Sequence, residues 1–360
     1  MWYAVVVAVR NMLYSIGIKK QEAPHITTIG VGNLSTGGTG KTPMTEYLLR
    51  LLADKYPTAM LSRGYKRKTK GYVLDDGSHD TAKLGDEPAM IASKFPNVQV
   101  AVCERRLEGV RRLMEPVYPE LSDNPEESEE PEKQEPPKLI VLDDVYQHRH
   151  IKPNINILLT EFRHPYFRDR IIPYGNLREF RSGRNRASIV IVTKCPSVLN
   201  PVDRHNIIAD LRLQNYQKVF FSYLKYGEIV TLDGKPANLD LRHMDGVLAL
   251  TGIAHPEPMV EEIRKSCRVQ HMAFADHHNY TKHDLSRVRE AFEAIKGERK
   301  AILTTEKDAM RLRGITGDLP IYVLPVEMAF HKEKDLDFDQ IIESSVKENI
   351  SFLSKLSIWS

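Results

Sequence analysis

The chain has 360 residues, 41% of them apolar and 28% charged, which allows a full hydrophobic core and excludes wholesale disorder, a collagen-like fibre or a multi-span membrane protein. The net charge of +3 hides an asymmetry: from Glu115 to Lys138 nine acidic residues stand against two lysines, a local charge of −7, so the rest of the chain carries +10. Cys103, Cys195 and Cys267 are scattered and odd in number, which excludes a disulfide framework and fits a reducing compartment.

The apolar amino end, Met1 to Val9, is interrupted by Arg10 and Asn11, well short of the roughly 20 residues a membrane-spanning helix needs. It lacks the basic start and the small-residue cleavage site of a secretory signal. As a helix it gathers Trp2, Val5, Val6, Val9, Met12, Leu13 and Ile16 on one broad face, with Lys19 and Lys20 at its end. That pattern suits a helix lying in a membrane interface, and equally one packed on its own domain. From His25 onward apolar strand-like runs alternate with helical stretches, the mark of a parallel sheet with crossover helices.

A strand over His25 to Gly32 leads into Gly37-Gly-Thr-Gly-Lys-Thr42 and a helix from Lys41. Phosphate binding needs backbone N–H groups converging at a helix start, a lysine for the terminal phosphates and a hydroxyl for Mg²⁺. Gly37, Gly38, Thr39 and Gly40 supply the loop, Lys41 the cation and Thr42 the hydroxyl. Ser35 stands where the strict motif has glycine, so the loop is of the variant GGxGK[ST] form. Further along come the basic loop Ser62 to Lys68, the carboxylate pair in Gly85-Asp-Glu-Pro88 at a helix start, and strands at Val98 to Val102 and Leu139 to Leu142. Residues 115–138, with six prolines and the acidic run, read as a disordered surface insertion. Leu139-Ile-Val-Leu-Asp-Asp144 is a buried strand ending in two carboxylates, the expected acidic partner of a phosphate loop; either Asp143 or Asp144 suits the metal. Guanine readers carry Asn-Lys-x-Asp; Thr193-Lys-Cys-Pro196 has proline in place of the base-reading carboxylate, which favours ATP.

A second αβ series starts at Gly246, with a hairpin predicted through Asp233-Gly234. The expected organisation is therefore a helix over 1–24, a phosphate-loop core lobe over 25–222, a two-stranded linker over 223–245 and a smaller α/β lobe over 246–360. Asp276-His-His278 follows a strand and reads as an Asp/His pair, a metal site or a polar turn.

Taken together, Val31-Gly-Asn-Leu-Ser-Thr-Gly-Gly-Thr-Gly-Lys-Thr-Pro43, Leu61-Ser-Arg-Gly-Tyr65, Gly85-Asp-Glu-Pro88, Asp143-Asp-Val-Tyr-Gln-His-Arg149, Pro173-Tyr-Gly-Asn-Leu-Arg-Glu179, Thr251-Gly-Ile253, Phe274-Ala-Asp-His-His278 and Thr305-Glu-Lys-Asp308 occur in the order of a known family. The chain resembles the tetraacyldisaccharide 4′-kinases of lipid A biosynthesis. The resemblance implies transfer of the ATP γ-phosphate to the 4′-hydroxyl of an acylated glucosamine disaccharide, with ATP and Mg²⁺, by a peripheral protein at the cytoplasmic face of the inner membrane of a Gram-negative bacterium. It implies Asp86 as catalytic carboxylate with His277 as its partner from the other lobe, and Asp143, Asp144 and Glu179 as acidic groups around Mg²⁺ and the phosphates. Arg63, Tyr65 and Arg178 fall to the acceptor, and no nucleic-acid partner is expected. The chain departs from the family pattern at Lys66, where glycine is usual, and at Val145, where Asp-Asp-Gly is usual. A rival of another class is a P-loop ATPase switch of the partitioning or metallochaperone type, but those carry a lysine where this chain has Thr36.

Overall fold

The structure is a computed structural model that describes residues 2–115, 135–332 and 336–357, so most of the acidic stretch 115–138 lies outside the described residues. In chain order the elements are α1 (Trp2–Ser15), β1 (Thr27–Asn33), α2 (Lys41–Leu52), β2 (Thr58–Ser62), β3 (Val73–Leu74), α3 (Thr81–Leu84), α4 (Asp86–Lys94), β4 (Val98–Val102), α5 (Arg106–Met114), β5 (Leu139–Leu142), β6 (Ile155–Glu161), β7 (Ile189–Thr193), α6 (Pro201–Leu211) and β8 (Lys218–Tyr226). There follow β9 (Val230–Thr231), β10 (Gly246–Thr251), α7 (Glu257–Arg264), β11 (Val269–Ala273), α8 (Lys282–Glu293), β12 (Lys300–Thr304), α9 (Glu306–Leu312), β13 (Ile321–Val323), β14 (Val326–Phe330) and α10 (Phe338–Ser357).

Nine strands form one sheet in the order β14-β8-β7-β6-β1-β5-β2-β4-β3, with β4, β2, β5, β1, β6, β7 and β8 all parallel. Covered on both faces, β1, β2, β5 and β7 are buried along their whole length, which is why they read as unbroken runs rather than alternating ones. From β1 the chain's strands spread to either side, so β1 marks the switch point where a parallel sheet opens a crevice at the carboxyl ends of its strands. The second sheet, β11-β10-β12-β13-β9, is parallel except for β9, which runs antiparallel along β13.

The chain divides into two compact units, Met1–Tyr223 with Phe330–Ser360, and Leu224–Ala329. This corrects two expected boundaries. Residues 223–245 do not form a linker by themselves: β8 runs on to Tyr226 in the first sheet, while β9 is an edge strand of the second. The neighbour of β8 is β14, about a hundred residues further on, and its partner strand could not be found from local pattern. Nor does the smaller unit extend to the end of the chain. Phe330 stacks on Phe338 with ring centroids 4.2 Å apart, edge-on to Tyr47 at 5.0 Å, and Tyr47 Oη donates to Asp339 at 2.7 Å. That cluster, with Ile342 and Val346 fully buried, fastens α10 to the larger unit.

Helix α1 buries Val7 but leaves Trp2, Val5, Val6, Val9 and Met12 exposed, Trp2 to 85%, as is Ile16 just after it. Its other side is tied down by polar bonds: Tyr3 Oη donates to the carbonyl of Arg178 (2.8 Å), and Arg149 donates to the carbonyl of Asn11 (2.9 Å). Among the described residues no helix is long and apolar enough to cross a membrane.

Candidate active site

The loop between β1 and α2 turns with Gly37 and Gly40 at φ +97° and +88°, and α2 begins at Lys41, so the two chemical residues of the motif stand in the first turn of a helix. Asn33 donates to Thr39 Oγ1 (2.7 Å), and Thr193, at the end of β7, donates its hydroxyl to the carbonyl of Thr39 (2.8 Å). The two bonds tie the loop to the ends of β1 and β7. Thr193 thus belongs to the phosphate cradle, although the sequence marks it only as the start of a motif that lacks a base-reading carboxylate.

Because β5 lies parallel to β1 and beside it, Gly30 opposite Leu142, the carboxylates that follow β5 emerge next to the phosphate loop. Crossing so close over β1 leaves no room for side chains there. A Cβ on Gly32 would meet Tyr146 Cβ at 2.6 Å, and one on Gly30 would meet Val145 Cγ1 at 2.8 Å. The residue in left-handed conformation is Asp144, at φ +45°, while Val145 is buried in the core beneath. Val145 therefore fills a core position, and the turn does not depend on glycine there.

The two carboxylates have opposite surroundings. Asp144 is held below the usual carboxylate range: burial opposes its charge, but Lys41 outweighs it, together with Arg178 and Arg106. Lys41 Nζ lies 3.8 Å from its Oδ1, and Arg178 donates to both oxygens at 2.9 and 3.1 Å. Asp143, 4% exposed, is pushed up to about 6, first by burial and then by the negative charges of Glu87 and Asp144. Its Oδ2 accepts a hydrogen bond from Ser62 (3.2 Å), and its Oδ1 is buried with no hydrogen-bond partner among the described residues. Arg106, fully buried, donates to the carbonyls of Cys103 (2.6 Å) and Asp143 (3.0 Å) and fixes the turn from behind. His148 is pushed down to about 3 by burial and by Arg106 and His150, so the ring next to the acidic pair stays neutral.

Gly85, at φ +90°, caps α4; a Cβ there would strike the carbonyl of Tyr65 at 2.9 Å. The basic loop therefore crosses the helix start that carries Asp86 and Glu87 in its first turn. Glu87 accepts a hydrogen bond from the hydroxyl of Thr42 at 3.0 Å, so it joins the cluster of Lys41, Thr42, Asp143, Asp144 and Arg178. The sequence signal for Glu87 was its place beside Asp86 at a helix start. Tyr65 is 66% exposed and Arg63 is exposed, whereas Arg67 is turned inward onto Glu104 at 2.6 Å, so the loop's cations are not all available to a ligand.

Arg178 sits on Asp144 and on the side chain of Asn33, at the acidic pair. Glu179 is fully buried, and its oxygens are occupied by Arg186 (2.8 and 2.9 Å), Gln147 (3.2 Å) and Asn11 of α1 (3.4 Å). That corrects its assignment to the metal. Arg178 faces the phosphate loop while Glu179, next in sequence, faces α1.

His277 stands in the smaller unit, in the turn after β11 at φ +62°, with its amide donating to the carbonyl of Gly252 (3.1 Å). The neighbouring histidines have other partners: His278 pairs with Asp284 (3.0 Å), the capping-box partner of Thr281 in the first turn of α8, and His271 bonds Thr251 (2.8 Å). Among the described residues no three His, Cys, Asp or Glu side chains form a group that could hold a metal ion by themselves. A Mg²⁺ ion at a phosphate loop asks for less, one or two carboxylates, a hydroxyl and the phosphates themselves. Thr42, Asp143 with its orphaned Oδ1 and Glu87 fit that demand.

A family model described as tetraacyldisaccharide-1-P 4′-kinase, LpxK, matches residues 1–347. Tetraacyldisaccharide 4′-kinase of Bacteroides thetaiotaomicron is 39% identical over 363 residues, 96% of this chain and 91% of that protein. That of Flavobacterium johnsoniae is 40% identical over 349 residues, 97% of this chain and 95% of that protein. Among solved structures, the "apo" form of LpxK from Aquifex aeolicus in complex with ATP superposes with a TM-score of 0.71 and 26% identity, covering 96% of each chain.

Proposed function

Since the chain belongs to the tetraacyldisaccharide 4′-kinase family, we infer that it transfers the γ-phosphate of ATP to the 4′-hydroxyl of a tetraacylated glucosamine disaccharide 1-phosphate in lipid A synthesis. The observation that carries this reading is the phosphate loop at the switch point, with Lys41 and Thr42 in the first turn of α2 beside Asp143 and Asp144.

Phosphoryl transfer asks a protein mainly to position groups and to neutralise charge. The backbone N–H groups of Gly37 to Lys41 cradle the phosphates, and Lys41 offsets charge on the terminal one. Mg²⁺, when bound, would neutralise the β- and γ-phosphate oxygens. Thr42 and Asp143, supported by Glu87, would hold it, while Asp144 keeps Lys41 and Arg178 in place. A sugar hydroxyl is a weak nucleophile, and Asp86 takes its proton as the oxygen attacks phosphorus and ADP leaves. His277 is the further residue we assign to this step.

The lipid is met at a surface. Exposed Trp2, Val6, Val9 and Met12 on α1, with Lys19 and Lys20 after it, support peripheral docking on the cytoplasmic face of an anionic inner membrane. Arg63 and Tyr65 remain with the acceptor. A hollow of about 590 Å³ lined by Ile171, Tyr174, Leu177 and Phe180, with Arg170 and Arg181, lies in the segment that ends at Arg178 and offers apolar surface to the substrate. The test is ATP turnover with the lipid disaccharide and with water-soluble sugars. Asp86→Asn should cut transfer by about 100-fold or more with ATP binding intact; near-wild-type turnover would remove Asp86 from the reaction, and lipid-independent turnover would overturn the acceptor.

A further inference from the structure

His277 makes one bond whose direction is fixed by chemistry. A guanidinium group has only donors, and Arg311 NH2 lies 3.0 Å from His277 Nδ1, so Nδ1 must be the acceptor. In a neutral imidazole the proton then sits on Nε2. Arg311 is not a loose surface cation. Its side chain is 5% exposed, its NH1 lies 3.3 Å from the fully buried Oδ1 of Asp308 and 3.4 Å from the carbonyl of Gly252, and Asp308 is itself held by Thr305 (2.7 Å) and the amide of Gly252 (2.9 Å). The same Gly252 carbonyl receives the amide of His277, so ring and backbone of the histidine are set by one buried framework. Gly252 is part of that framework for steric reasons too, since a Cβ there would meet Asp308 Oδ1 at 2.8 Å and Tyr280 Oη at 3.0 Å. Asp276, the carboxylate next in sequence, is 3.9 Å from Nε2, beyond hydrogen-bond range.

We propose that Arg311 is a positioning residue that locks His277 as the Nε2–H tautomer, so that the imidazole serves the reaction as a hydrogen-bond donor and not as a base. The inference rests on the reading of His277 as the partner of Asp86. With Nδ1 committed to a cation and Nε2 already protonated, the ring has no lone pair to offer the acceptor hydroxyl. A second proton on Nδ1 would set two donors and two positive charges face to face. Proton transfer therefore ends on a carboxylate and not on this ring: Asp86 receives the sugar hydroxyl proton as the new O–P bond forms and the β–γ bridging bond breaks to release ADP. The arrangement differs from a triad in which a carboxylate orients an imidazole that itself accepts the proton. It also gives Thr305-Glu-Lys-Asp308 a function, since Asp308 holds the guanidinium that sets the tautomer.

The tautomer is read directly from long-range ¹H–¹⁵N correlation spectra of the full-length protein labelled with ¹⁵N in histidine, with the His277 signals identified by their loss in His277→Gln. The expected result at about pH 7.5 is an unprotonated-type shift at Nδ1 and a protonated-type shift at Nε2. A proton on Nδ1, or a doubly protonated ring, would overturn the proposal. Arg311→Met should mix the tautomers and lower kcat about 10- to 100-fold with KM for ATP within about twofold, as expected for loss of an orienting partner. Arg311→Lys, which keeps a donor, should recover much of the loss. Unchanged kcat and tautomer in a folded Arg311→Met protein would also overturn it. If Arg311→Met fails to fold because Asp308 is stranded, the wild-type spectrum still decides. Wild-type turnover in His277→Gln would instead refute the reading of His277 as partner of Asp86, leaving the tautomer measurement unaffected.

Discussion

Glu179 offers the sharpest test of what the structure changes. Its carboxylate is completely buried and accepts from Arg186, Gln147 and Asn11, so it ties the loop carrying Arg178 to α1. Replacement by glutamine keeps the shape but removes the charge and turns an acceptor into an NH₂ group facing donors. Losing one partner of a buried ion pair costs about 3–5 kcal/mol. Arg186 is 22% exposed and can turn part of its charge toward water, which favours the low end, about 3 kcal/mol. At about 2–4 °C per kcal/mol for a unit of this size, Glu179→Gln should melt about 6–12 °C lower. Thermal unfolding followed by circular dichroism measures that shift, and a Mg²⁺ titration of kinase activity below the melting range measures the rest. The half-saturating Mg²⁺ concentration should stay within about twofold, because the residue is bonded elsewhere; a metal-shell group would move it 10- to 100-fold. An unchanged melting temperature with a Mg²⁺ requirement raised about tenfold would refute the reasoning and return Glu179 to the metal.

Removal of residues 2–18 should abolish flotation with anionic vesicles, since it deletes the exposed apolar face of α1 and the lysines' approach to it; retained flotation would show that another surface binds the membrane. Asp143→Asn should raise thermal stability at pH 8 by about 2 kcal/mol while removing activity, because a carboxylate pushed up to about 6 makes its ionised form costly in the fold. The sign follows from proton uptake: the folded protein holds this proton more tightly than the unfolded chain, so wild-type stability rises as pH falls and the gap to Asp143→Asn should close toward pH 5. A variant less stable than wild type at pH 8 would count against this. Lys66, at φ +60°, occupies a left-handed position, and Lys66→Gly should gain about 0.5–1 kcal/mol in melts despite the added freedom of the unfolded chain.

The parallel core was legible because burial on both faces leaves a plain trace, runs such as Leu139 to Leu142 and Ile189 to Thr193 bounded by polar turns. The phosphate loop and the acidic pair were legible as well, since their chemistry dictates residue types at fixed spacing. What sequence could not supply is direction and distant pairing. Nothing local says that β14 returns to β8 or that α10 docks through Phe330 and Phe338 on the larger unit. Nothing in Arg178-Glu179 says which side chain faces the phosphates. Glu87, Thr193 and Arg311 were each inside or beside a recognised motif, but their roles depend on contacts with residues 45, 154 and 34 positions away.

The sequence left open which of Asp143 and Asp144 takes the metal, and local charge separates them. Two adjacent carboxylates near a loop that must bind phosphate cannot share one set of cations without one of them being left short. Asp144 turns left-handed, at φ +45°, with its carboxylate bonded to Arg178 and 3.8 Å from Lys41. The strain of that turn is offset by the pair of bonds to Arg178, and by Arg106 holding the Asp143 carbonyl from behind. Asp143 is left deep, next to Glu87, with one oxygen unpartnered, and Lys41 and Arg106 do not outweigh its burial and its acidic neighbours. A site in that condition gains most from a divalent cation, because the ion supplies the missing charge and the missing ligand together. Asp144 already has Lys41 and Arg178 beside it, so the same cation would add less there.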